Sequence, residues 1–138
     1  MSVLTFSRSK VVGVESPEEN VLLAHGILED PVYGMEVDVR VKLPEFEVVA
    51  VQGRMKRFTT PECEKSIPRL QNAVGLCIYA GDFVRKVNRM VGREGCTHFA
   101  NLVIECCDAV MQAAIFGKWL ELKEKGATPS KEEFLRER

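Results

Sequence analysis

The stretch Gly34–Leu43, GMEVDVRVKL, decides the fold class. Met35, Val37, Val39, Val41 and Leu43 alternate strictly with Glu36, Asp38, Arg40 and Lys42. Successive side chains of an extended chain point to opposite faces, so a period of two describes a strand with one buried face. The Pro44-Glu45 turn is short enough to read as a hairpin connection. FEVVAVQGRMKRF (46–58) then runs back as a further strand, with Gly53 a candidate bulge. Upstream, NVLLAHGILED (20–30) is apolar and β-tolerant until the Asp30-Pro31 step breaks it. These signals predict an antiparallel sheet of about three strands in the N-terminal half.

Beyond residue 59 the pattern turns helical. Thr60-Pro61-Glu62 places a hydroxyl at the N-cap, proline in the first turn and an acid after it. Cys63, Ile67, Leu70 and Val74 follow on one face, and Gly75 ends that helix. Gly81-Asp82 opens a second helix with Phe83, Val84, Val87, Met90 and Val91 inward and Arg85, Lys86 and Arg89 outward. Gly92 closes it as a C-cap. A third runs from Cys96-Thr97 to about Lys125, with Phe99, Leu102, Val103, Cys106, Val110, Ala113, Ala114 and Trp119 on its apolar stripe. Ser130 and Glu133 form a capping box for a fourth, KEEFLRER. Strands first and helices second predict an α+β domain, a sheet packed against four helices. Residues 1–138 read as a single domain, with no repeat, low-complexity tract or linker.

Composition narrows the function classes. Nineteen basic against twenty acidic residues leave a net charge of -1, which gives no electrostatic footprint for nucleic acid. The N-terminus, MSVLTFSRSK, lacks an apolar core region, so no signal peptide is expected. No continuous apolar run approaches the roughly 20 residues of a membrane span. A bacterial-type cytoplasm is the expected location. Five cysteines, odd in number and without a secretory signal, predict reduced thiols rather than a disulfide framework.

The candidate chemistry lies around GREGCTHFANL (92–102) and the earlier Pro61-Glu62-Cys63. Cys63 and Cys96 each open a predicted helix, where free backbone amides and the dipole favour a thiolate. His98 stands two residues after Cys96, close enough to be a ligand or a base. The rival reading, of equal weight on spacing alone, makes both cysteines small helix-end residues and His98 a cap neighbour. Cys77 and Cys106 read as core filling. Cys107 points away from Cys106 on a helix, and adjacent residues seldom share an ion. His25 reads as a satisfied core histidine. Arg54, Lys56 and Arg57 read as the solvated end of an edge strand, and Arg85-Lys86-Arg89 as helix surface.

The order of motifs resembles an uncharacterised bacterial family, domain-of-unknown-function family 2889. The likeness runs through GILEDPVYGMEVDVRV, PEC before a helix, VGLCIYAGDFVRKV and GREGCTHFANL, over about residues 10 to 117. More distantly the layout is similar to the NifU/SufE-type iron–sulfur scaffolds. In that comparison Cys63 falls at the second scaffold cysteine, and Cys96-Thr97-His98-Phe99-Ala100 matches the third. Tyr33 stands where the first scaffold cysteine would be, and Met35 replaces an acidic residue. Two cysteines, a histidine and a phenol match soft iron–sulfur ligation poorly.

The leading expectation is a metal-binding or sulfur-handling site built from Cys63, Cys96, His98 and Tyr33. Zinc or iron is the candidate metal, and protein partners in metal or sulfur handling the candidate partners. A second expectation is a non-catalytic assembly module, a homodimer through Ala109, Ala113 and Ala114. A third is a cysteine–histidine enzyme with Asp82 or Glu105 as orienting acid. A non-enzymatic role ranks above the enzyme.

Overall fold

The computed structural model describes residues 4–126. Four strands, β1 (Ser9–Glu18), β2 (Val21–Glu29), β3 (Gly34–Lys42) and β4 (Glu47–Arg57), form one sheet in the order β1-β2-β3-β4. All neighbours are antiparallel. The sheet therefore has one strand more than expected. The extra strand, β1, is an edge strand exposed along most of its length, with Val12 and Val14 only half-buried. An edge strand with little to bury carries a diluted period-two signal, and Gly13 interrupts it further.

Ala24, Leu28, Met35, Val37, Val39, Val41 and Val51 face a helical layer and are buried. That layer holds α1 (Pro61–Lys65), a 3-10 segment (Ile67–Ala73), α2 (Phe83–Val87), a π-turn (Asn88–Arg93) and α3 (Thr97–Glu124). Three α-helices thus stand among the described residues. The fourth expected helix falls at 131–138, outside them. The first expected helix is cut short because Pro68 lacks an N–H and its ring disfavours helix in the preceding residue. The chain tightens there into the 3-10 segment, with Ser66 Oγ donating to the Cys63 carbonyl at 2.5 Å. Val84, expected inward, is 51% exposed.

The layer also covers the upper edge of β4. Val48 N–H donates to the Leu76 carbonyl at 2.9 Å, Gly75 N–H to the Val48 carbonyl at 2.7 Å, and the Gln71 amide to the Val51 carbonyl at 2.7 Å. Cys77 lies in this bridge, opposite Glu47. It is half-buried there rather than a core residue. Gly75 sits at φ +94 and Gly126 at φ +79, so both stop helical runs as the sequence suggests. Gly92 does not. It is buried inside the π-turn, where an added Cβ would lie 3.1 Å from Ala100 Cβ, so it serves helix–helix contact.

Two glycines set the distance between the layers. Gly26 and Gly53 flank Val37 in one row across β2, β3 and β4. A Cβ at Gly26 would sit 2.6 Å from Cys106 Sγ, and one at Gly53 would collide with Leu70 and press on Phe99. Gly53 is therefore no bulge. It pairs in regular register with Val37, and the irregularities fall between Gly34 and Met35 and between Arg40 and Val41. α3 runs obliquely, with Phe99 over β4 and Leu102 and Cys106 over β2.

By length and composition alone α3 is long and apolar enough to cross a membrane. Its first half is a core helix, with Phe99, Ala100, Leu102, Val103, Cys106, Cys107 and Val110 buried. Farther along, Phe116 and Leu120 are exposed.

The layer spacing is testable. Gly53→Ala is expected to cost about 1–3 kcal/mol by overpacking, read as a lower urea midpoint. Leu70→Ala alone is expected to cost about 2–5 kcal/mol. Together they should cost less than their sum, because the vacated volume accepts the new methyl. Strict additivity would mean that Leu70 does not set the constraint at Gly53.

Candidate functional site

The last row of the sheet joins Ser9, Glu29, Gly34 and Arg57. The β2–β3 loop (30–33) leaves from this end, and the chain from Arg57 enters α1 here. The N-terminus of α3 meets the same loop: the Tyr33 and His98 rings lie 4.4 Å apart at 41°. Tyr33 and His98, two of the expected site residues, are in direct contact.

Asp30 organises the loop. Its side chain is fully buried, and Oδ1 accepts from Val32 N–H at 2.8 Å and Tyr33 N–H at 2.6 Å. Oδ2 accepts from Arg8 Nε at 2.9 Å. The Tyr33 amide, then the Val32 amide and Arg8, hold the carboxyl below its ordinary range against the opposing effect of burial. Arg57 clamps the loop from outside. Its Nη2 faces the Asp30 carbonyl at 2.7 Å, the Tyr33 carbonyl at 3.0 Å and Glu29 Oε2 at 2.7 Å. By sequence alone Asp30-Pro31 reads as a strand breaker and Arg57 as solvated surface. An aspartate before a Pro-x-x turn is the signal that identifies Asp30, since its side chain can satisfy the amides that the turn leaves free.

His98 is half-buried at the first turn of α3. Burial lowers its pKa, Arg8 and Lys10 lower it further, and Asp30 partly opposes them. Neutral imidazole is the favoured form at neutral pH, leaving a nitrogen lone pair for a proton or an electrophile. Cys96, two residues earlier, is the N-cap residue of α3 and is half-buried. Its N–H donates to the Val91 carbonyl at 3.0 Å, and its carbonyl accepts from Ala100 N–H at 3.0 Å.

Cys63 lies in the short α1, within six residues of the sheet's last row. Thr60 is the N-cap residue, yet its hydroxyl caps no amide. Instead Thr59 Oγ1 and Thr60 Oγ1 stand 3.5 and 3.9 Å from Cys63 Sγ. The Thr59 hydroxyl and then the Thr60 amide favour the thiolate and bring the pKa to about 7. Cys63 is half-buried rather than sealed in the core, unlike Cys106 and Cys107. Cys106 and Cys107 are the opposite case: burial pushes Cys106 up to about 12 and Cys107 higher still. Among the described residues, no three or more His, Cys, Asp or Glu side chains are grouped to hold a metal ion. Asp82, a candidate orienting acid, instead pairs with Lys86 at 3.1 Å.

His25 is not a core histidine. It projects from the solvent face of the sheet, with Nδ1 2.8 Å from Asp38 Oδ1 and Nε2 3.1 Å from Glu15 Oε1. The ladder continues through Arg54, which reaches Asp38 at 3.3 Å and Glu36 at 2.9 Å, and Lys56, 3.2 Å from Glu36. The Asp38 and then the Glu15 hydrogen bonds raise the His25 pKa.

The two histidines should titrate on opposite sides of 6.5. Folding favours protonated His25, so its stabilisation is complete below pH 6.5 and fades as pH rises through the folded value. Folding favours neutral His98, so its contribution declines as pH falls from 6.5 toward its lowered value. NMR titration of the ring protons checks both, and Asp38→Asn should move His25 down while leaving His98 in place. Coincident midpoints would refute the assigned surroundings.

A family model described as "Protein of unknown function (DUF2889)" matches residues 16–112, from within β1 to well along α3. No curated protein and no solved structure matches the chain, so the likeness to iron–sulfur scaffolds gains no support there.

Proposed function

This chain belongs to the DUF2889 family of proteins of unknown function, and we propose that it is a non-enzymatic sulfur carrier working through Cys63. The observation that carries this reading is the half-buried Cys63, its sulfur set beside two threonine hydroxyls, with a pKa of about 7. An attacking thiol works best when its pKa is near the ambient pH: enough thiolate is present, and nucleophilicity is not lost to excessive acidity. One accessible thiolate also needs no convergence of ligands. In the transfer, Cys63 thiolate attacks the outer sulfur of a donor persulfide, R–S–SH. A new S–S bond forms on Cys63 and the donor's S–S bond breaks. R–S⁻ leaves with the electron pair, and the proton stays on the transferred sulfur. No external oxidant or reductant enters.

Treatment with cysteine persulfide followed by intact mass measurement tests this. The protein should gain one sulfur atom, Cys77→Ser should retain the gain, and Cys63→Ser should lose it. The iodoacetamide alkylation rate at Cys63 should rise with pH about a midpoint of about 7. Loading that survives Cys63→Ser, or a wild-type protein that takes up no sulfur, would sink the reading.

In a second reading, favoured by the Tyr33–His98 contact, Cys63 and Cys96 move to join His98 and Tyr33 around a zinc or iron ion, since the described residues do not group three such ligands as they stand. Protein purified without a tag should then contain near-stoichiometric metal, and Cys96→Ala should lose it. Metal content unaffected by Cys96→Ala and Cys63→Ala would remove this second reading.

A further inference from the structure

Residues 83–93, FVRKVNRMVGR, repeat every four positions. Phe83, Val87 and Val91 are buried, whereas Arg85, Arg89 and Arg93, two positions after each, are exposed. In an α-helix a step of four residues overshoots a full turn by roughly 40°, so a strict four-residue repeat would wind around the axis. The π-turn at Asn88–Arg93 removes that drift. Its i→i+5 bonds widen the turn and reduce the rotation per residue, so the second step lags where the first leads. The apolar triad stays on the core, and the three arginines stay in line on the opposite side over roughly 12 Å.

Arg69, on the 3-10 segment, is exposed and lies beside the end of this turn. A Cβ at Gly95 would lie 2.9 Å from Arg69 Cβ, so the glycine lets the arginine stem pass alongside the π-turn's end. Among the described residues none of Arg69, Arg85, Arg89 and Arg93 has an ion-pair partner, whereas Arg40, Arg54, Lys56 and Arg57 of the sheet each have one. The nearby acids are engaged elsewhere. Asp82 holds Lys86 at 3.1 Å, and Glu94 receives the Asn72 amide at 3.5 Å. The helical layer therefore holds four guanidinium groups without an ion-pair partner among the described residues, Arg85 acting on the Asp82 carboxylate only at longer range.

We infer that this row is a docking surface for an acidic segment of a partner protein. Its carboxylates would be spaced at about 6 Å, as at positions four apart on a helix or alternate positions of a strand. Arginine's planar fork pairs bidentately with a carboxylate, which a lysine row would not do. Single-stranded nucleic acid would call for exposed rings to stack bases. The one ring near the row, Tyr79, is exposed but already holds Phe46 in an edge-on contact at 5.4 Å, and a single ring makes no stacking platform for successive bases. A lipid surface would call for a broad apolar face beside the cations. Within 83–93 the one exposed large apolar side chain is Val84.

The test uses the full chain and a fluorescein-labelled peptide of repeating Glu-Ala-Ala-Ala, followed by anisotropy at rising salt. The peptide should bind, weaken with salt, and lose about tenfold or more in affinity for R85Q/R89Q/R93Q. Circular dichroism checks that this variant is folded, and R89Q alone should lose about threefold should the triple variant fail to fold. Lys10→Gln with Lys42→Gln, which removes two unpaired sheet cations, should change affinity by less than about twofold. No binding at low salt, or equal losses in the two sets, would overturn the inference. So would tighter binding of oligothymidine or phosphatidylserine vesicles through the same arginines, which would make the ligand a phosphate.

Discussion

Two missing methyl groups hold this molecule in its arrangement. Gly26 and Gly53 flank Val37 across the buried face of the sheet, and the side chains of α3 and the 3-10 segment descend into the space that each leaves. Cys106 and Leu102 fill one notch, and Leu70 and Phe99 crowd the other. Protein interiors pack too densely to absorb an added carbon without movement, so these contacts fix the tilt and height of α3. That placement in turn brings His98 to Tyr33 and stacks Ala100 against Gly92.

At the sheet's open end the stabilising chemistry and the candidate reactive chemistry lie side by side. Asp30 is buried and fully used, bonded by two backbone amides and Arg8, while Arg57 ties the outside of the same loop to Glu29. A buried carboxylate survives only when its acceptors are satisfied, so this cluster is structural support that also presents Tyr33. Cys63 follows a few residues after Arg57, with hydroxyls rather than charges around its sulfur. The thiol's acidity thus comes from hydrogen-bond donors, which local sequence supplies, rather than from a distant cation.

Charge is distributed unevenly between the layers. On the sheet's outer face Glu15, His25, Asp38, Arg54, Glu36 and Lys56 neutralise one another in a cross-strand ladder. In the helical layer Arg69, Arg85, Arg89 and Arg93 lack such partners among the described residues. The chain as a whole carries a net charge of -1, a balance that conceals this segregation.

Much of the fold was legible in the sequence because it rests on local periodicity. The alternation at 34–43, its return at 46–58 and the apolar run at 20–30 each became a strand within a residue or two of the expected limits. The start of α3 at Thr97 and the stops at Gly75 and Gly126 were equally readable from cap residues. β1 was not, because an edge strand buries too little to impose a pattern. Nor was the breakdown of the first helix, where Pro68 outweighed the apolar spacing on either side. For the site, the sequence marked Cys63, Cys96 and His98 as chemistry-bearing residues, and resemblance alone added Tyr33, but neither could say which would meet. The tertiary structure joined Tyr33 to His98, recruited Arg8, Asp30 and Arg57, and turned His25 outward between two acids. Periodicity and caps follow from neighbours a few positions apart, and the sequence records those directly. Ring contact, ion pairing and the notches at Gly26 and Gly53 depend on how separate elements cross, which is decided only when the whole core packs.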